Sequence, residues 1–211
     1  MVVIGVDATI LPHYHCITIP YYHITTLPFY HITKSVNELE RYQDVTTFIL
    51  DVDGVLTDSQ LLILEDGSLL RSMSVRDGYA IKRALQVGFR VCVITGGASM
   101  GVVERLRALG VVDIYYGVQN KVEAYREYMD LYDLDDAEVL FMGDDVPDYE
   151  VMRLVGFPAC PRDACREILS IAKYVSDKGG GAGAVRDVIE RTLRARGLWL
   201  PGSAEVVPRS V

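Results

Sequence analysis

Four short segments hold the residues able to do chemistry. Asp51-Val52-Asp53-Gly54-Val55-Leu56-Thr57-Asp58 sets two carboxylates two positions apart, and Thr95-Gly96-Gly97 offers a hydroxyl. Lys121 offers an ammonium, and Gly143-Asp144-Asp145, with Asp148 three residues on, adds three more carboxylates. Phosphoryl transfer to a carboxylate needs these parts. It takes a nucleophile, a hard cation, donors for the equatorial oxygens and an acid for a poor leaving group. Asp51 suits the nucleophile and Asp53 the acid. Asp51, Asp144 and the backbone carbonyl of Asp53 form an oxygen set suited to Mg2+. Thr95 and Lys121 suit the phosphoryl oxygens.

Taken singly, each segment has an ordinary structural reading. Asp-x-Asp-Gly is common in turns, Gly143-Asp144-Asp145 caps helices well, and Lys121 can open a solvated helix. An EF-hand is excluded by Gly54 at the fourth loop position and Leu62 at the twelfth. The glycine run at 179–183 lacks the Gly-Lys-Ser/Thr ending of a nucleotide loop. At the start of a helix it still suits an anion or the close approach of another chain.

What joins the segments is the pattern of elements. Apolar, β-branched runs at 46–50, 91–94, 113–116, 139–142, 158–160 and 174–175 read as strands. They alternate with helical periodicity at 78–87, 99–109, 121–132, 149–155, 163–172 and 184–196. Apolar runs at 61–64 and 69–73 around Glu65-Asp66-Gly67 read as a hairpin. Such alternation implies an α/β, Rossmann-like three-layer sandwich with a mainly parallel sheet. In that architecture the carboxyl ends of the strands carry the site, which is where all four segments fall.

The constellation resembles the haloacid dehalogenase-like phosphohydrolases over residues 46–148. The resemblance implies Asp51 as nucleophile, Asp53 as acid/base, Thr95 and Lys121 as phosphate binders, and a Mg2+ held by Asp51, Asp53 and Asp144, with Asp145 assisting. Aspartate at position 53 is what the phosphatases of that group carry. Only 44 positions separate Asp51 from Thr95 and 26 separate Thr95 from Lys121, so neither gap has room for a cap domain. The wording Val75-Arg76-Asp77-Gly78-Tyr79 and Gly180-Gly181-Ala182-Gly183 extends the likeness to a capless, homotetrameric subfamily over about residues 45–198. Its substrate is 3-deoxy-D-manno-octulosonate 8-phosphate, a small phosphorylated sugar acid of lipopolysaccharide biosynthesis. Substrate contacts would then come from Ser74, Val75, Arg76, Asp77, Gly78, Lys82 and Arg105. Two positions depart from that pattern, Gly97 and Lys82, where many members carry Arg. A phosphatase of a sialic-acid-type 9-phosphate or another phosphosugar is the alternative, and a binding module of the same fold is a third reading.

An open site needs a cover, and a neighbouring copy is the simplest one. The apolar hairpin residues Leu61, Leu62, Ile63, Leu69 and Leu70 read equally well as an assembly edge or as packing on their own domain.

With 211 residues, 50% of them apolar, and 29 acidic against 21 basic side chains, the net charge is −8. That balance speaks against a nucleic-acid or anionic-membrane binder, and no run is long enough to span a bilayer. Four cysteines without a Cys-x-x-Cys pair fit a reducing cytoplasm. Residues 1–33 stand apart. They hold one charged side chain, Asp7, all four histidines, and an octad repeat, Pro12-His13-Tyr14-His15, Pro20-Tyr21-Tyr22-His23 and Pro28-Phe29-Tyr30-His31. The expected organisation is a low-order extension over 1–35, translated from upstream of the native start, a catalytic domain over 36–200, and a flexible tail over 201–211.

Overall fold

The structure is a computed structural model, and it describes residues 42–202. The octad repeat and the last nine residues lie outside the described residues. A six-stranded parallel sheet forms the middle layer. Its strands are β1 (Thr47–Leu50), β4 (Arg90–Ile94), β5 (Asp113–Tyr115), β6 (Val139–Met142), β7 (Phe157–Cys160) and β8 (Tyr174–Val175), in the order β5-β4-β1-β6-β7-β8. The chain runs outward from β1 through β4 to β5, then returns to β1's other flank with β6. The reversal between β1 and β6 is where open α/β sheets leave a crevice.

The strands read as unbroken apolar runs because both faces are covered. Alternation still sorts their side chains. Phe48 and Leu50, Val91 and Val93, Leu140 and Met142 enter one core. Ile49, Cys92, Ile94, Val139 and Phe141 enter the other. The first core is closed by α1 (Val75–Gln86), α2 (Met100–Leu109) and α6 (Ala184–Ala195). The second is closed by α3 (Lys121–Tyr132), α4 (Tyr149–Met152) and α5 (Arg166–Ile171). The three layers expected from the alternation are therefore present. Cys92 and Cys160 are buried thiols within them, and the described cysteines are unpaired.

Some boundaries differ from the sequence expectation. Helix α1 begins at Val75, three residues early, because Ser74 caps it by accepting from the Asp77 amide at 3.3 Å. Helices α4 and α5 are shorter than their apolar periodicity suggests. The first starts at Tyr149 as expected, after a 3-10 turn over Val146–Asp148, but ends at Met152.

The hairpin stands outside the sheet. β2 (Leu62–Ile63) and β3 (Leu69–Leu70) pair antiparallel, with Leu62 opposite Leu70 and Gly67 in the left-handed region at φ +83°. Among the described residues its apolar side chains are left largely uncovered. Leu62 is 62% and Ile63 69% exposed, and Leu61, Leu69 and Leu70 are exposed with them.

Candidate active site

Strand register creates the site. Leu50 pairs with Val93 on one side and Met142 on the other, so Asp51, Thr95 and Asp144 emerge at one edge. The Asp51 amide donates to the Met142 carbonyl at 3.0 Å, tying the first loop to β6. The amides of Val55, Leu56 and Thr57 all donate to the Val52 carbonyl, which curls residues 52–57 into a tight loop. Gly54 in that loop has φ +94°, and a methyl group there would lie 1.9 Å from an Asp144 oxygen. A methyl on Gly143 would similarly lie 2.5 Å from the Asp148 side chain. Both glycines are what let the carboxylates converge.

Converge they do. Lys121 Nζ sits 2.9 Å from Asp51 Oδ1 and 2.6 Å from Asp148 Oδ1. Oxygens of Asp51, Asp144 and Asp148 lie within 4.8 Å of one another. Asp51 and Asp148 are buried, and Lys121 is 9% exposed. Burial, then the charge of Asp148, pushes the Asp51 carboxyl up to about 7 against the pull of Lys121. Burial first, then Asp51, Asp148 and Asp145, pushes Asp144 up to about 7 as well. Burial opposes the charge on Lys121, but Asp51 and Asp148 outweigh it and hold the ammonium above its usual range.

Three carboxylates against one ammonium leave two negative charges, which a dication would balance. Asp144 Oδ1 is buried with no hydrogen-bond partner among the described residues, an acceptor left for a ligand. A hard divalent cation, which prefers carboxylate oxygens, fits this donor set.

Asp53 turns away from that cluster. Both its oxygens accept from Arg71, at 2.7 Å from Nε and 3.0 Å from Nη2. Thr95 is buried, and its Oγ1 accepts from the Gly97 amide at 3.1 Å. Gly97 lies between the two, since a methyl there would be 3.2 Å from Asp53 Oδ2 and 3.5 Å from Thr95 Oγ1.

The remaining expected residues divide. Asp145, expected to assist the metal, is exposed and caps the 3-10 turn by accepting from the Val146 amide at 2.8 Å. Asp148 occupies the cluster in its stead, held by the Asp144 amide at 3.1 Å. Asp77, expected at the substrate, is 1% exposed and accepts from the Arg186 amide at 2.7 Å, capping α6 from α1. Helical periodicity is the reason: positions 77, 80, 81 and 84 face the core. Val75, Arg76, Lys82 and Arg105 are exposed, Ser74 is engaged as the cap, and Gly78 is buried against Arg105, whose Nη2 would lie 2.9 Å from a methyl there. No hydrogen bond or ion pair among the described residues joins these seven to the carboxylate cluster. The glycine run packs on its own chain's first loop. The Gly181 amide donates to the Val55 carbonyl at 3.0 Å, and a methyl on Gly180 would strike the Gly54 carbonyl at 2.0 Å.

Asp148 entered the sequence reading as an acid beside the proposed metal site, without a named role, and the structure brings it into the cluster four positions after Asp144. Arg71 escaped that reading as a site member: it follows β3 and is the one cation in the run at 69–73.

Residues 107–189 match the haloacid dehalogenase-like hydrolase family. The 3-deoxy-D-manno-octulosonate 8-phosphate phosphatase of Salmonella typhi is 36% identical over 163 residues, covering 77% of this chain and 87% of that protein. The crystal structure of the Yersinia pestis phosphatase of the same name superposes with a TM-score of 0.75 at 33% identity, over 80% of this chain and 90% of that one. The Moraxella catarrhalis phosphatase, solved with a magnesium ion, a phosphate ion and a KDO molecule, gives 0.73 at 31% identity, over 75% and 92%.

Proposed function

The chain belongs to the haloacid dehalogenase-like hydrolases, and from that premise we propose that it is a Mg2+-dependent phosphatase of 3-deoxy-D-manno-octulosonate 8-phosphate. The observation that carries the reading is the convergence of Asp51, Asp144 and Asp148 around Lys121, with one Asp144 oxygen left unpartnered among the described residues. The 36% identity to the Salmonella typhi phosphatase supplies the substrate. When bound by Asp51 and Asp144, with Asp148 beside them, Mg2+ would offset the charge of the carboxylates and of the phosphate ester.

The protein's own groups then divide the work. An Asp51 oxygen attacks phosphorus and the bond from phosphorus to the ester oxygen breaks, leaving an aspartyl phosphate. Asp53 gives its proton to the departing sugar oxygen. Water then attacks the phosphoryl group, Asp53 takes back a proton, and phosphate leaves with the Asp51 carboxylate restored. Thr95 and the Lys121 ammonium hold the phosphoryl oxygens and stabilise their growing charge.

Residues 36–200 are the catalytic unit in this reading, working in the cytoplasm in lipopolysaccharide biosynthesis. The exposed hairpin supports a homotetramer. In that assembly a neighbouring copy closes the open site, and the exposed Val75, Arg76, Lys82 and Arg105 are left to meet the sugar acid. Sedimentation at micromolar concentration is expected to give four copies. Ile63→Glu, on the most exposed apolar residue of the hairpin, is expected to give smaller species; a monomer from the unaltered chain would remove the assembly.

Phosphate release across phosphorylated sugar acids tests the substrate. The eight-carbon 8-phosphate is expected to have the highest kcat/KM. A second reading, a nine-carbon 9-phosphate, is favoured by Gly97, which leaves the space beside Asp53 and Thr95 free of a side chain. Preference for the nine-carbon ester would reverse the order.

A further inference from the structure

Arg71 immediately follows β3, and its guanidinium is the only cation recorded on Asp53 among the described residues. The contact is two-pronged, Nε to Oδ1 at 2.7 Å and Nη2 to Oδ2 at 3.0 Å. Thr57 Oγ1 adds a weaker donor to Oδ1 at 3.4 Å. The Arg71 side chain is 9% exposed, less than the 37% of its partner, so the ion pair is backed by protein on the guanidinium side. Arg71 and Asp53 both line a small cavity whose other walls include Val102, Val103, Leu106 and Ile114, with Ser99 and Tyr116. A fork of parallel donors fixes orientation more firmly than a single contact would. Gly97 leaves this arrangement room. A methyl there would come within 3.4 Å of Arg71 Nη2 and 3.2 Å of Asp53 Oδ2, so a larger side chain would have to displace the pair.

The geometry has a consequence for the proton transfer. Each Asp53 oxygen accepts one N–H from Arg71, and each keeps a further lone pair that can carry a proton to a leaving group. Resting on the phosphatase reading, we propose that Arg71 is a positioning residue for Asp53: its fork fixes the plane of the carboxylate and so the direction in which the remaining lone pairs present the proton. The hairpin strand thereby sets where the acid stands.

Asp53 also serves as base toward water, a step common to all esters. The role is therefore read in kcat/KM, which reports phosphoryl transfer to Asp51 and depends on Asp53 only where the leaving group needs a proton. The test compares a primary alkyl phosphate, whose alkoxide must be protonated, with p-nitrophenyl phosphate, whose phenolate departs without help. Both are assayed on the full chain with Mg2+. Arg71→Ala is expected to lower kcat/KM on the alkyl ester by ~10- to 100-fold, at or below the lower end of the roughly 10^2- to 10^4-fold that general acid catalysis supplies, because Asp53 itself remains. On the aryl ester the expected loss is under about threefold, and Arg71→Lys is expected to restore part of the alkyl-ester rate. Should Arg71→Ala not fold, Arg71→Gln is read by the same ratio. Equal losses on both esters, or an unchanged alkyl-ester rate, would overturn the positioning role. If the unaltered protein turned over neither ester, the phosphatase reading itself would fall, a result distinct from either.

Discussion

Asp51→Asn is expected to lower turnover of the phosphate ester by on the order of 10^4- to 10^6-fold, the scale seen when an enzyme loses its nucleophile. The amide keeps the volume of the carboxyl and its place after β1, so the strand ends are not disturbed. What it lacks is an oxygen able to form the aspartyl phosphate. The same change removes one of three acids crowded around one ammonium. Without metal at neutral pH, the variant is therefore expected to melt no lower than the unaltered protein. Loss of activity with an intact melt separates a chemical role from a structural one. Turnover within tenfold of the unaltered protein would remove the covalent mechanism.

The second large effect is on stability, and it depends on both pH and Mg2+. Asp51 and Asp144 are each pushed from 3.8 up to about 7. Between those values the folded chain keeps protons that the unfolded chain has released. Stability of the metal-free protein therefore falls as pH rises from about 4 to about 7, with a limiting slope of about 1.4 kcal/mol per pH unit for each proton. Mutual repulsion and water reaching the half-exposed Asp144 reduce the total, and a loss on the order of 1–3 kcal/mol is expected. For a domain of this size that is a fall in Tm of roughly 2–12 °C.

Mg2+ competes with those protons and reverses the trend. A hundredfold excess over its dissociation constant contributes about 2.7 kcal/mol, and more of it is realised at pH 8 than at pH 5. Calorimetry with and without Mg2+ at the two pH values checks this. A Tm gain independent of pH, or absent in the unaltered protein, would count against a metal held by these carboxylates. Asp144→Asn should shrink both the pH dependence and the Mg2+ response.

The carboxylates of this site converge through close backbone approaches that only glycine permits. Gly54 lies against the Asp144 carboxylate, Gly143 against Asp148, and Gly180 against the Gly54 carbonyl. The loop bearing Asp53 is thus wedged between β6 and the approach to α6. This explains why a glycine run with no nucleotide-loop ending is present in a phosphate-handling site: its close approach is to the first loop itself.

Much of this was legible from the chain because the relevant signals are local. Runs such as 47–50 and 139–142 are apolar without break because a parallel strand is covered on both faces, and Asp51 and Gly143-Asp144 follow them directly. Strand ends in such a sheet share one edge, so order along the chain already implied that Asp51, Thr95 and Asp144 meet. The gap lengths likewise left no room for a cap. Direction and pairing of individual side chains were beyond that reach. Asp145 and Asp148 are chemically identical in sequence, and a single 3-10 turn sends one outward as a cap and the other into the cluster. Asp77 faces the core because α1 starts three residues earlier than its apolar spacing suggested. Arg71 reaches Asp53 across 18 positions only because the hairpin folds back over the site. Residue types and their order, set by local backbone preference and burial, define the fold and the reaction class. Which carboxylate holds a metal, which is parked on a guanidinium and which caps a helix are set by contacts between distant segments, and those exist only once the chain is packed.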